Sequence, residues 1–172
     1  MRVISTVMIA VLNVVIFGAG ASGAEPRRVP LPVNVAIDDT LREHVEEAIA
    51  LSPTLQRQFA VVAGSPVIVE LRVSLGRLPA FRRAETTISR YDSGFIRARV
   101  LVPPGADFIE LLAHELEHVV EQIEGVDLAV LTRTGGATQD VSGIFETVRA
   151  RDAGRAAALE VELGLRALNA PD

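Results

Sequence analysis

Leu111-Leu112-Ala113-His114-Glu115-Leu116-Glu117-His118-Val119-Val120-Glu121 is the stretch on which the reading of this 172-residue chain turns. Successive residues of an α-helix turn by about 100°. His114 and His118 therefore lie within about 40° of each other, one turn apart, on the same face. Two imidazoles so placed can hold one tetrahedral Zn²⁺ through nitrogen. Glu115 stands on the flank of that stripe, where it can engage a water without becoming a ligand. Leu112, Leu116, Val119 and Ile123 gather on the opposite face, giving the helix an apolar back for a core and a metal-binding front for a cleft. The chain has three histidines, and two of them are in this His-Glu-x-x-His pattern.

Working outward, Asp107 is placed to cap this helix and Gly125 to end it. Pro103-Pro104-Gly105 closes the preceding strand, residues 95–102. Another strand, 84–91, is joined to it by Asp92-Ser93-Gly94, which predicts a hairpin. Upstream, residues 67–75 alternate between Val67, Val69, Leu71, Val73 and Leu75 on one side and Glu70, Arg72 and Ser74 on the other, a half-buried strand. Residues 76–83 connect it to the hairpin. Ser52-Pro53 is an N-cap with proline at the first helical position, predicting a helix over 54–63 with Leu55, Phe59 and Val62 inward. An earlier helix runs from Asp38 or Asp39 to residue 51, with Leu41, Val45, Ala48 and Ile49 inward, preceded by a short strand, 33–37. His44 has no partner motif and reads as a surface residue. Beyond Gly125, residues 126–143 are weakly periodic and read as a mobile loop with room for a helical turn. A last long helix is expected over 144–168. These elements predict an α+β fold: one small domain, residues 25–172, with an antiparallel or mixed sheet, the His-Glu-x-x-His helix and a long C-terminal helix.

Met1-Arg2 precedes an apolar run from Val3 to Phe17 and a small-residue end, Gly18-Ala19-Gly20-Ala21-Ser22-Gly23-Ala24. This is the pattern of a secretory signal, residues 1–24, cut near Ala24. It predicts a secreted or periplasmic chain with no stable membrane anchor after signal removal. The chain has no cysteine, so metal ligands must be His or carboxylate. All 17 basic residues are arginine, against 22 acidic ones, for a net charge of −5. A mildly acidic chain without a basic stripe argues against a nucleic-acid binder.

A zinc centre needs a third protein ligand. Three carboxylates compete. Glu124 points about 80–120° away from the histidines if the helix continues, and is set aside. Glu121 lies about 20° from His114 and leans back toward His118. It can orient that imidazole as an outer partner, or stand solvated on the helix. Glu146 is preferred. It is expected to open the last helix, where Ala150, Ala153, Gly154 and Ala157 form a stripe of small residues that lets two helix backbones approach.

His114-Glu115-x-x-His118 with a later helix glutamate resembles the gluzincin branch of the zinc metallopeptidases, over roughly residues 107–168. The chain has Phe145 and Ala150 where that group commonly has Asn and Asp. It is also similar to short secreted bacterial proteins carrying His-Glu-Leu-x-His and a later Phe/Tyr-Glu-Thr. The resemblance implies His114, His118 and Glu146 as zinc ligands, Glu115 as general base, and a peptide or protein as substrate. The alternative is a non-catalytic zinc-binding or structural envelope protein.

Peptide hydrolysis also calls for a second stabiliser of the oxyanion. Tyr91, the only tyrosine, is one candidate, with Arg90, Arg97 and Arg133 as others. The strand 95–102 leads into the metal helix, and the resemblance to zincins implies that an extended substrate would lie along such a strand edge. Arg97 and Arg99 on one face of that strand would favour acidic substrates, or simply form a wet arginine face.

Overall fold

Alternation of apolar and polar residues builds the first layer. The fold was read from a computed structural model, which describes residues 28–74, 83–139 and 145–170. The expected signal, 1–24, lies outside the described residues, as do most of the 76–83 connection and positions 140–144. A four-stranded mixed sheet has the order β1-β2-β4-β3. β1 (Val35–Ile37) and β4 (Ile96–Val102) each run parallel to β2 (Val67–Val73), with Val35 opposite Val69 and Val67 opposite Ile96. β3 (Glu85–Arg90) is antiparallel to β4, with Thr86 opposite Val100. The expected hairpin closes through Tyr91 and Phe95, whose backbones bond at 2.9 Å. β4 is therefore an inner strand, and the edge beside the metal helix belongs to β3, which corrects the expectation that residues 95–102 would offer it.

One face of the sheet is dry. Val67, Val69, Leu71, Ile96, Ala98, Val100 and Val102 pack on the helices. The other face is wet: Arg97 and Arg99 both pair with Glu70, and Arg72 pairs with Asp38. α1 (Asp39–Leu51) contributes Val45, Ala48 and Ile49 to the core, and α2 (Pro53–Ala63) contributes Leu55, Phe59 and Val62. Ser52 caps α2 as expected, accepting from the Leu55 N–H at 3.1 Å. His44 is exposed and tilts against Phe108.

α3 (Phe108–Ile123) is the His-Glu-x-x-His helix. Asp107 precedes it without a side-chain capping bond, because its carboxylate pairs with Arg83 instead. The helix ends as expected. Gly125 takes the left-handed conformation (φ 71°), and the Val126 and Gly125 N–H groups return to the Glu121 and Gln122 carbonyls.

The described part of the stretch expected to be a loop, 126–139, is more ordered than its weak periodicity suggests. Asp127 caps a short helix, α4 (Leu128–Thr134), and β5 (Ala137–Gln139) pairs antiparallel with β6 (Phe145–Thr147). α5 (Val148–Leu168) follows and lies along α3. The small-residue stripe does what was expected of it. Ala150, Ala153, Gly154 and Ala157 are buried, and a Cβ built on Gly154 would sit 2.7 Å from the Glu110 carbonyl oxygen. No helix among the described residues is long and apolar enough to cross a membrane.

Candidate metal centre

α3 is fixed on two sides, which determines where its histidines point. Its back, Leu112, Leu116 and Val119, is fully or almost fully buried in the core. On the side facing α2 and α5, Glu117 is wholly buried, held by Arg57, Arg149 and the Gln58 amide. An unpaired buried carboxylate would be strongly destabilising, so this pairing ties three helices together. The remaining side opens into a cavity of about 890 Å³ walled by β3, α3 and the start of α5. His114, Glu115, His118 and Glu146 all line it.

Glu146 reaches the centre from an unexpected element. It lies in β6, two residues before α5 begins. Thr147 is the reason: its side chain accepts from the Ala150 N–H at 2.9 Å and so starts the helix after Glu146. The strand nevertheless delivers the carboxylate. Glu146 Oε2 is 3.3 Å from His114 Nε2, and one ligand atom from each of His114, His118 and Glu146 lies within 4.8 Å of the others.

Three observations show that these side chains fit a metal ion. Two ligands of one tetrahedral Zn²⁺, at bond lengths near 2.0 Å, stand about 3.3 Å apart, the separation found between His114 and Glu146. Glu146 Oε1 is buried with no hydrogen-bond partner among the described residues, which is costly unless a cation or donor satisfies it. The third concerns His118. Its Nδ1 is 3.0 Å from Glu121 Oε2. A carboxylate that accepts from Nδ1 leaves the Nε2 lone pair for a metal. Glu121 itself is 1% exposed. It is not a solvated residue, and its carboxylate contacts the His118 ring. Its other oxygen accepts from the Thr147 hydroxyl at 2.7 Å.

The electrostatics agree. Burial alone would lower the His114 pKa, but Glu146, then Glu115 and Glu110, raise it above the ordinary imidazole value. Burial likewise opposes ionisation of Glu146, and His114 outweighs it and holds the carboxyl below its usual range. The site thus favours positive charge between the two groups. Burial pushes the Glu115 carboxyl above the usual value against the pull of Thr86 and both imidazoles, and Glu146 adds to the rise. That direction suits a general base working near neutral pH.

The other candidates fall elsewhere. Glu124 pairs with Arg149 at the surface. Tyr91 is half-exposed at the hairpin end against Phe95 and is not among the described residues that line the cavity. Arg97 is occupied by Glu70 on the far face of the sheet, and Arg133 is on α4. Of the candidate oxyanion partners only Arg90 lines the cavity, and its guanidinium donates to the Gln122 carbonyl at 2.7 Å. Sequence reading missed Thr147 and Thr86. The hydroxyl of Thr86, on β3, donates to the Glu115 main-chain oxygen at 3.3 Å. The Thr-x-x-Ala step after Glu146 carried a capping signal for Thr147, whereas Thr86 left no local sign.

Two histidines and a glutamate converging in one cavity make this a candidate metal centre. Comparison of the chain with protein-family models, curated proteins and solved structures finds no match.

Proposed function

We propose that the protein is an exported, zinc-dependent peptidase of gluzincin type, with His114, His118 and Glu146 as ligands and Glu115 as general base. The observation that carries this reading is the convergence of His114, His118 and Glu146 in the cavity that Glu115 also lines. Zinc so held supplies a Lewis acid that polarises a carbonyl and lowers the pKa of a coordinated water to about 7. Glu115 takes the proton of the attacking water on its carboxylate and passes it to the leaving nitrogen. Its burial keeps bulk water from competing, and Thr86 and the α3 backbone fix its place. Glu121 holds the His118 ring in the productive tautomer. β3, at the sheet edge and along the cavity wall, offers backbone groups to an extended peptide.

The test is hydrolysis of an unstructured protein by the zinc-loaded chain. Wild type should cleave it. Glu115→Gln should retain zinc and lose at least about a hundredfold in rate, the lower end of what a positioned acid–base contributes. Equal rates for the two would overturn the assignment of Glu115. Zinc binding with no cleavage by wild type would leave a zinc-binding envelope protein.

A further inference from the structure

Among the described residues, positive charge is almost everywhere neutralised at short range. Among the described arginines, all but Arg90, Arg133, Arg151 and Arg155 pair with a carboxylate. Three of these four exceptions line the same cavity as the metal cluster. Arg90 is engaged by a carbonyl. Arg151 and Arg155 are exposed, and they project from one turn to the next of α5 into the cavity, about 6 Å apart along the axis. Arg151 acts on Glu146 through its charge, the smallest of the influences on that carboxyl, without forming an ion pair. A bound metal would occupy that carboxylate. Glu110, another cavity acid, lies 3.7 Å from Arg83.

We propose that Arg151 and Arg155 form a subsite that recognises a carboxylate of the substrate next to the bond being cut. This makes the preferred substrate an acidic peptide. The inference rests on the peptidase reading for its context but not for its test. Guanidinium groups match carboxylates in planar, two-point geometry, and a concave wall of low dielectric strengthens such a contact over one on open surface. Arg97 and Arg99, which the sequence alone offered for this task, are already spent on Glu70 across the sheet.

The experiment measures fluorescence anisotropy with labelled octapeptides and the zinc-loaded Glu115→Gln chain, which leaves the probe intact. Three probes are used: alternating Ala-Glu with an amidated end, alternating Ala-Gln with an amidated end, and alternating Ala-Gln with a free carboxyl end. The Glu peptide should bind about tenfold more tightly than its amidated Gln counterpart, the scale of two favourable charge contacts. The Arg151→Gln/Arg155→Gln double variant should lose that preference, and Arg133→Gln, an unpaired arginine outside the cavity, should keep it. A gain that follows the free chain end instead assigns the same subsite to the terminal carboxylate. Equal binding of all three probes overturns the proposal, as does an equal loss in Arg133→Gln. Cleavage by wild type is read separately. Arginine-dependent binding without cleavage defeats only the peptidase reading, and cleavage without acidic preference defeats only the subsite.

Discussion

The Thr147 hydroxyl donates to the Glu121 carboxylate at 2.7 Å, and the other oxygen of that carboxylate holds His118 Nδ1 at 3.0 Å. One buried side chain thus links the second histidine of the motif to the segment that delivers Glu146. Outer partners of metal-bound imidazoles are typically worth about 10–100-fold in metal affinity. Glu121→Ala should weaken zinc binding by that factor, measured by competition with a chromogenic chelator. Thr147→Ser, which keeps the hydroxyl, should stay close to wild type, and Thr147→Val should fall between the two.

Gly154 lets α5 lie against the first turns of α3. A methyl group there would meet the Glu110 carbonyl oxygen at 2.7 Å and the His114 Cβ at 3.2 Å. Both helices would have to separate under the metal site. Overpacking of this kind costs about 1–3 kcal/mol. Gly154→Ala should therefore lower Tm by roughly 2–12 °C for a domain of this size, seen by thermal melting of the zinc-free chain, and should weaken zinc binding in the same variant.

Glu117 is fully buried, whereas its partners Arg57 and Arg149 are 46% and 40% exposed. The two sides of this network should not be equivalent. Glu117→Gln leaves two arginines that can turn toward water, and should cost about 1–3 kcal/mol. The Arg57→Met/Arg149→Met double variant strands a buried carboxylate with Gln58, and should cost about 3–5 kcal/mol. Urea unfolding of the two proteins gives the order directly.

Acid stability should depend on the wet face of the sheet. The Val73 N–H and then Arg72 hold the Asp38 carboxyl below its ordinary value of 3.8, and Arg97 does the same for Glu70, whose ordinary value is 4.5. A carboxyl with a depressed folded-state pKa binds fewer protons in the folded than in the unfolded chain. Its stabilisation is fully present above the unfolded value and is lost as pH falls toward the folded one. Asp38→Asn should flatten the fall of Tm with pH below about pH 4 and leave the profile near pH 7 parallel to wild type.

What could be read from the chain was what repeats locally. The 3.6-residue period and the paired histidines located α3, Ser52-Pro53 located the start of α2, and Asp92-Ser93-Gly94 located the hairpin. The order of the strands was hidden. β1 is only three residues long, and its parallel pairing with β2 is a long-range choice that leaves no periodic trace. Glu146 was identified as the partner of the histidines but assigned to a helix, because the small-residue stripe continues a helical period backward past Thr147. The hydroxyl of Thr147 stops that period by capping the helix at its own position. The tie between Glu121 and Thr147, and the absence of carboxylate partners for Arg151 and Arg155 among the described residues, arise only when α3 and α5 meet.

The central claim is that His114, His118 and Glu146 hold one divalent ion. Isothermal titration of zinc into the metal-free chain, repeated with Glu146→Ala and Glu124→Ala, tests it most directly. The account predicts one zinc per chain for wild type and Glu124→Ala, and at least a hundredfold weaker binding for Glu146→Ala, the loss of one of three protein ligands. Zinc binding that survives Glu146→Ala undiminished would contradict it.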